Sequence, residues 1–456
     1  MFKRYTLISL LLSLVTTMAI GKDITVGTDP DHNILDLNNA LGDAAPGDTI
    51  ILKPGVYKLD NEIGSLFAAG LEDVVIRGED PANPAIIDGD GIGKVFLLRR
   101  PKNLTLENLV IQNMTQGGLN IDDADVDTGE PPETWQPTLS HNVTLRNITI
   151  KDIGTNSGNI DGLKLSGLNE FHIDNLQVIN WGDGGSAIDM VGCHNGVIEN
   201  SFFHSDHKNI LTTGLVHKGG SETILVENNR FELPKGFGNA VKLGGSTSDG
   251  LFRFKEDDSG YEAKDIIVEN NTIIHGKSAF SFVNIDGGRV QNNTIYQPSD
   301  WVLRILNEAA GEGNDFPTRN GEFLDNTIIF DNGLEEIVNI DGSNPTEPET
   351  FVFARNQWFN SDDASASTPD LPSTETEGIY GVDPKFDPGI QTTENPDSTD
   401  SEPNNTNGDE DEASNSSGGG SGSLSIPFLA LLFGWFLMRY FFRPHFLRRY
   451  VFSQGQ

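Results

Sequence analysis

The chain has 456 residues, with 67 acidic against 31 basic side chains, a formal net charge of −36 and a pI near 4.4. So negative a surface repels nucleic acid and anionic membrane, which leaves soluble or carbohydrate partners. Cys193 is the only cysteine, so no intrachain disulfide exists and packing alone holds the fold.

In chain order, residues 1–21 combine Lys3 and Arg4, an apolar run from Leu7 to Val15, and the small-residue site Ala19, Ile20, Gly21. They predict a signal peptide and export to the cell envelope. Residues 34–41 (ILDLNNAL) predict a short helix. Further on, one phrase returns: a β-rich run, an Asn, a second apolar run. It reads NLTLENLVIQN at 103–113, NVTLRNITIK at 142–151, TILVENNRF at 223–231 and IIVENNTII at 266–274. Later copies are GRVQNNTIY at 288–296, GEFLDNTIIF at 321–330 and FVFARNQWF at 351–359. The spacing, roughly 22–30 residues with a few longer gaps, is a repeat period.

Each copy is rich in Val, Ile, Thr and Phe, is bounded by Gly, Asn and Asp, and lacks a 3.6-residue apolar pattern, so it predicts strands. Two or three short strands cannot bury an apolar face alone, and the unit must stack on copies of itself about 4.8 Å apart as a solenoid. The recurring Asn (Asn108, Asn147, Asn175, Asn200, Asn229, Asn271, Asn293, Asn326, Asn356) is predicted where the chain turns between strands. Asn tolerates the left-handed backbone of such a corner, and stacked amides hydrogen-bond from coil to coil.

Over approximately residues 22–385 the chain resembles the right-handed parallel β-helix proteins of the pectate-lyase-like superfamily. The predicted helix then reads as a cap, and residues 46–59 (PGDTIILKPGVYKL) are similar to the family's first coil. The fold class implied is all-β, a single-stranded right-handed parallel β-helix over residues 22–387. That fold hosts lyases, hydrolases, epimerases and adhesins.

Residues 388–423 turn to Asp, Glu, Asn, Ser, Thr, Pro and Gly, a solvated acidic linker. Residues 424–442 predict a C-terminal transmembrane helix. Arg439 closes it, and a basic cytoplasmic tail at 443–456 carries Arg443, Arg448 and Arg449. Gly418, Gly419 and Gly420 before this span resemble the Gly-Gly type of bacterial C-terminal sorting signal, which is cut by a membrane protease. A permanent single-span anchor in the cytoplasmic membrane is the alternative.

Aligning the repeats on their closing turn exposes a second ladder: Lys164, Asp189, His217 or its neighbour Lys218, Lys242, Asn284, Arg304 and Asn339. Side chains alternate along a strand, so equivalent positions of successive coils stack on one face, here predicted outward. Cations about 5–10 Å apart repel, which an anionic ligand relieves. Neutralisation by Asp189, Asp161 or Asp183 as ordinary ion pairs is the competing reading.

A groove of cations suits a uronic-acid polysaccharide, and β-elimination is the matching chemistry. A cation neutralises the sugar carboxylate, a base takes the acidified α-proton, and the glycosidic oxygen leaves the neighbouring carbon. Lys218 is the candidate base: His217 adjoins it, Lys242 is one coil on, and Gly219 and Gly220 leave room for substrate. Residues 211–231 (LTTGLVHKGGSETILVENNRF) also resemble the catalytic coil of alginate lyases and chondroitinase B, which implies Lys218 as base and Lys242 as cation. Where those families keep acidic calcium ligands this chain has Leu211 and Thr213, and Lys242 stands where they keep an arginine. No cofactor is expected, with calcium left open.

Arg253 and Tyr261 lie in a longer excursion, of the kind that builds a groove wall. Tyr261 is the candidate donor of the leaving-group proton, and Lys164, Asp189, His217, Arg253 and Arg304 are the candidate substrate contacts. Asp183 and Asp189 keep an acid-pair glycoside hydrolase open. Trp181, Trp301 and Trp358 serve either sugar stacking or packing. His194, His204, His207 and His217 fall on different sides of the coils, and Cys193 reads as a small buried filler. The expectation is an exported, membrane-tethered or surface-sorted β-helix acting on acidic polysaccharide, most simply as a lyase. The competing class is a non-catalytic glycan-binding or structural β-helix.

Overall fold

The computed structural model describes residues 21–389, apart from 28, 30–32, 133, 155–157, 249, 254–259, 309–315 and 342–344. The predicted signal peptide before Gly21, and the predicted linker, membrane helix and basic tail from residue 390 on, lie outside the described residues. Among the described residues no helix is long and apolar enough to cross a membrane.

The chain winds as a right-handed parallel β-helix. Its strands form a small sheet of 10 strands, from Leu66–Ala69 to Glu336–Ile340, and a large sheet of 21 strands that supplies the remaining faces. Strands pair in parallel with the equivalent strand of the next coil, as Asn169–Ile179 does with His141–Lys151. Alternation decides the inside: in Lys102–Gln112 the buried residues are Leu104, Leu106, Leu109 and Ile111. Aromatic residues stack along the axis, with Phe203 and Phe231 at 4.9 Å and Phe323 and Trp358 at 6.0 Å. The helix Asn33–Asp43 follows the strand Asp23–Val26 and caps the N-terminal end, burying Ile34, Leu37, Ala40 and Leu41 against the first strands.

The asparagines divide into two ladders where the sequence suggested one. Asn108, Asn147, Asn175 and Asn200 do sit at left-handed corners, with φ of 59°, 53°, 54° and 51°. Their exposed amides link coils, as from Asn175 Nδ2 to Asn147 Oδ1 at 2.8 Å. Asn229, Asn271, Asn293, Asn326 and Asn356 do not take the corner; the left-handed residue is the one before each, Asn228, Asn270, Asn292, Asp325 and Arg355. These five turn their amides inside, at 0–2% exposure. Each Oδ1 from Asn271 to Asn356 accepts the backbone N–H of the asparagine one coil before, at 2.8–2.9 Å. Buried amides are stable there because every group finds a partner.

Past the last coil the chain doubles back as a strap. Gln357 donates to Val382 O at 2.8 Å, Phe386 packs on Tyr296 at 5.8 Å, and Arg230 donates to Pro388 O and Gly389 O at 2.7 and 2.9 Å. Gln357 and Arg230 stand in one row of the large sheet, joined through Thr327, Thr294 and Thr272. The strap therefore retraces several coils along the outside.

Candidate functional site

On the outer face of the small sheet the strand pairing sets the row Asn120, Lys164, Asp189, Val216, Lys242, Ser281, Arg304, Asn339. The predicted ladder is thus in register at Lys164, Asp189, Lys242, Arg304 and Asn339 and departs from it in two coils. Counting three back from the closing turn fails at Asn284, whose turn lies farther on, whereas from Gly219 it reaches Val216, an apolar residue that a search for polar side chains passes over. Val216 takes the row position, alternation turns His217 to the inside, and Lys218 re-emerges beside Val191. In the later coil Ser281 takes the row and Asn284 becomes a left-handed corner with φ 51°.

His217 is therefore no surface contact. It is fully buried, its Nδ1 paired with Lys242 O at 3.1 Å, and burial pulls its pKa down to about 4. Lys218, by contrast, reaches back to the row. Its Nζ lies 3.0 Å from Asp189 Oδ1, while Lys164 Nζ donates to Asp189 Oδ2 at 2.5 Å. Lys164 also reaches Asp161 Oδ2 at 3.4 Å, and Asp161 Oδ1 accepts the Ser186 N–H at 2.9 Å. The pair of acids facing one lysine is thus Asp161 and Asp189; Asp183 makes no ion pair among the described residues.

The two carboxyls are driven apart. Burial, reinforced by the charge of Asp189, raises the pKa of Asp161. Burial also opposes ionisation of Asp189, yet Lys218 and then Lys164 outweigh it and hold its carboxyl below the usual range. Burial would lower the pKa of Lys164, but Asp189 and Asp161 together raise it. Lys218 keeps 22% of its side chain exposed, so its ammonium stands at the edge of this buried cluster.

The turn after Lys218 is held rigidly. Gly219 and Gly220 take φ of 66° and 87°, and a Cβ on Gly219 would come within 2.7 Å of Val191. Glu262, fully buried, accepts the Gly219 N–H and both the N–H and hydroxyl of Thr247, each at 2.7 Å. Burial raises the Glu262 pKa against those bonds. Glu262 thereby ties the Lys218 turn to the start of the excursion after Gly245.

Arg253 does not face a groove. It is 4% exposed and grips Asp123, itself fully buried, through Nε at 3.0 Å and Nη2 at 2.9 Å. A guanidinium so deeply placed needs a paired carboxylate, and here it fastens the excursion to the turn after Leu119–Asp122. His194 Nε2 meets Arg253 O at 2.7 Å and its ring lies 4.0 Å from that of Trp135. Tyr261 is also buried, and its hydroxyl donates to Glu222 Oε2 at 3.0 Å, on the large sheet. Trp181 and Trp358 are core residues at 0% and 1% exposure.

Farther along the row Lys242 Nζ donates to both Glu308 oxygens, at 2.9 and 2.8 Å. Arg304 lies 4.1 Å over the Trp301 ring, which Lys277 also approaches at 4.9 Å, and its Nε donates to Asn339 Oδ1 at 3.2 Å. Each lysine of the row thus has a carboxylate of its own, the ion-pair arrangement. Ser281, Glu308 and Asp123 escaped the sequence reading: nothing in their local pattern marks them, because register and excursions bring them in from 25 or more residues away.

Among the described residues no three His, Cys, Asp or Glu side chains converge on a metal-sized site. Leu211 and Thr213 offer calcium no carboxylate: the first is an exposed apolar side chain and the second donates its hydroxyl to Leu211 O.

No protein-family model matches the chain, and no curated protein matches it. Solved structures do. An alginate lyase from Paenibacillus sp. aligns at 17% identity and TM-score 0.42, over 72% of this chain and 99% of that one. A family 6 polysaccharide lyase from Pseudopedobacter saltans aligns at 14% and 0.46, over 81% and 93%. A family 28 exopolygalacturonase from Yersinia enterocolitica aligns at 15% and 0.38, over 78% and 76%. These neighbours are polysaccharide lyases and a hydrolase of β-helix fold, and the likeness is one of fold.

Proposed function

We propose that the outer face of the small sheet acts on an anionic, uronic-acid polysaccharide, and that Lys218 carries the chemistry as the base of a β-elimination. The observation that supports this reading is the placement of Lys218. Its ammonium nitrogen is located by a buried carboxylate, its turn is fixed by two glycines and Glu262, and it stands partly exposed beside Lys164 and one coil from Lys242. Positioned groups of this kind are what proton abstraction from a held substrate requires.

In the reaction the neighbouring cations neutralise the sugar carboxylate. The unprotonated amine of Lys218 takes the α-proton, the C–H electron pair forms the new carbon–carbon double bond, and the glycosidic bond breaks. The leaving oxygen takes a proton from water, because the Tyr261 hydroxyl is committed to Glu222. Lys218 then returns its proton to solvent. Lys164 and Lys242 handle carboxylates in this scheme, which requires the substrate to compete with Asp161, Asp189 and Glu308.

A second reading has its own observation. Asp161, with its pKa raised, and Asp189, with its pKa held down, divide acid from base as a glycoside hydrolase needs. Alginate, pectate and glycosaminoglycans incubated with the full chain separate the possibilities. Absorbance of an unsaturated uronate, lost in Lys218→Ala and retained in Asp161→Asn, supports the lyase. New reducing ends without that absorbance, lost in Asp161→Asn, replace it with the hydrolase. Binding without either product leaves a glycan-binding module, and turnover retained in Lys218→Ala removes the assigned base.

A further inference from the structure

One to three coils beyond Lys218 the outer row continues as Lys242, Ser281 and Arg304. Two polar atoms there stand out. Ser281 is fully buried although it belongs to the outward row, and its Oγ has no hydrogen-bond partner. The Trp301 Nε1, beneath the Arg304 guanidinium, is likewise buried and unpartnered. Arg304 uses Nε on Asn339, and its two terminal nitrogens make no hydrogen bond among the described residues. Unsatisfied donors beside two cations form a place short of an acceptor.

A carboxylate already sits at its edge. Glu308 gives both oxygens to Lys242, is the foremost charge acting on Arg304, and is anchored by its own N–H on Asn284 Oδ1 at 3.1 Å. Yet Glu308 is a poor structural ion pair, with 35% of its side chain in solvent and Lys242 at 19%. It leaves Ser281 and Arg304 unsatisfied.

We propose that Lys242, Ser281 and Arg304 form a carboxylate subsite of the polysaccharide groove, and that Glu308 occupies it in the free protein as an internal stand-in for a uronate carboxylate. This rests on the reading that the small sheet takes an anionic polysaccharide. The subsite lies about 10 Å along the axis from the Lys218 coil, so it holds a sugar away from the reacting bond. A uronate exchanges one carboxylate for another and gains the Ser281 hydroxyl and the free face of Arg304. A neutral sugar can displace Glu308 only by stripping Lys242 of its partner. Glu308 thus competes with an acidic ligand alone: a neutral one leaves it seated on Lys242 and neither gains nor loses by its presence.

The test is calorimetric binding of hexaguluronate and hexagalacturonate, with cellohexaose as the neutral probe, to the full chain and to Glu308→Gln, Ser281→Ala and Arg304→Met, each in a Lys218→Ala background so that the probe is not consumed. Removing the competing carboxylate tightens an acidic hexamer about fivefold, the worth of a half-exposed ion pair, and leaves cellohexaose unmoved. Arg304→Met and Ser281→Ala weaken the acidic hexamer. Glu308→Gln alters a half-exposed side chain, so a thermal melt matching that of the parent shows that folding is untouched. Acidic binding unchanged or weakened in Glu308→Gln overturns the subsite, even where turnover still depends on Lys218 and the proposed function stands. No acidic binding in any variant, Glu308→Gln included, overturns both.

Discussion

Replacing Asn293 by Ala tests whether the inner amide ladder holds the coils together. Asn293 Oδ1 accepts the Asn271 N–H at 2.9 Å and the Asn271 amide at 3.0 Å, while its own amide donates to Val268 O and to Asn326 Oδ1 at 2.9 and 3.0 Å. Truncation strands the buried Asn271 N–H, which costs about 1–3 kcal/mol, and takes a donor from Val268 O. The space of a lost amide adds roughly 1–2 kcal/mol, for a total of about 3 kcal/mol. Asn293→Leu separates the parts: Leu176 fills the equivalent inward position of an earlier coil, so Leu removes the cavity while leaving the N–H stranded. Asn147→Gly is the control, since Gly keeps the left-handed φ of 53° and only the exposed amide links to Asn108 and Asn175 are lost, about 1 kcal/mol together. Urea unfolding followed by far-ultraviolet circular dichroism reports the order, provided the slope m stays constant. The expected ranking of losses is Asn293→Ala, then Asn293→Leu, then Asn147→Gly. A midpoint for Asn293→Ala indistinguishable from that of Asn147→Gly refutes the reasoning.

Other outcomes follow from the site and its braces. Asp189→Asn leaves Lys164 and Lys218 without their shared carboxylate; because both lysines are partly exposed, the expected loss is about 2 kcal/mol by urea unfolding, accompanied by loss of any Lys218-dependent turnover. Arg253→Met strands the buried Asp123 charge and is expected to cost about 3–5 kcal/mol, with faster amide exchange at residues 245–253; adding Asp123→Asn should recover much of it in a double-mutant cycle. His217 has a folded pKa near 4, below its ordinary value of about 6.5, so the unfolded chain takes the proton first. Its stabilising contribution is complete above about pH 6.5 and drains by roughly 3 kcal/mol as the pH falls toward 4. His217→Gln should flatten that part of the stability profile, and an unchanged slope between pH 6.5 and 4.5 contradicts the assignment.

The solenoid was legible because its signal is repeated: the same alternation and the same polar corner recur, and a period survives local irregularity. The capping helix was legible for the same reason that it exists, an amphipathic stretch ahead of the repeating coils. What escaped was the role of individual residues within the repeat. Asn200 and Asn229 look alike in sequence, yet pairing sets Asn200 opposite Asn228, and both take the left-handed corner; Asn229 is the residue after it, where earlier coils carry Leu109, Ile148, Leu176 and Ser201. The outer row failed at Asn284 because a longer turn moves the closing glycine while strand pairing keeps its own count, and at His217 because the row position there holds the apolar Val216. Arg253 and Tyr261 were read as groove residues from their place in an excursion. Their partners, Asp123 and Glu222, lie 130 and 39 residues away and carry no local mark.

The strap ties distant rungs of the solenoid to one another from outside. Its last described residues lie against Arg230, which belongs to the same turn of the solenoid as Lys218, the sixth of the 10 rungs of the small sheet. The strap therefore ends at mid-height, with several rungs above and several below. A pull applied at Gly389 is taken up first by two carbonyls on one guanidinium, peeling the strap before it loads a single rung.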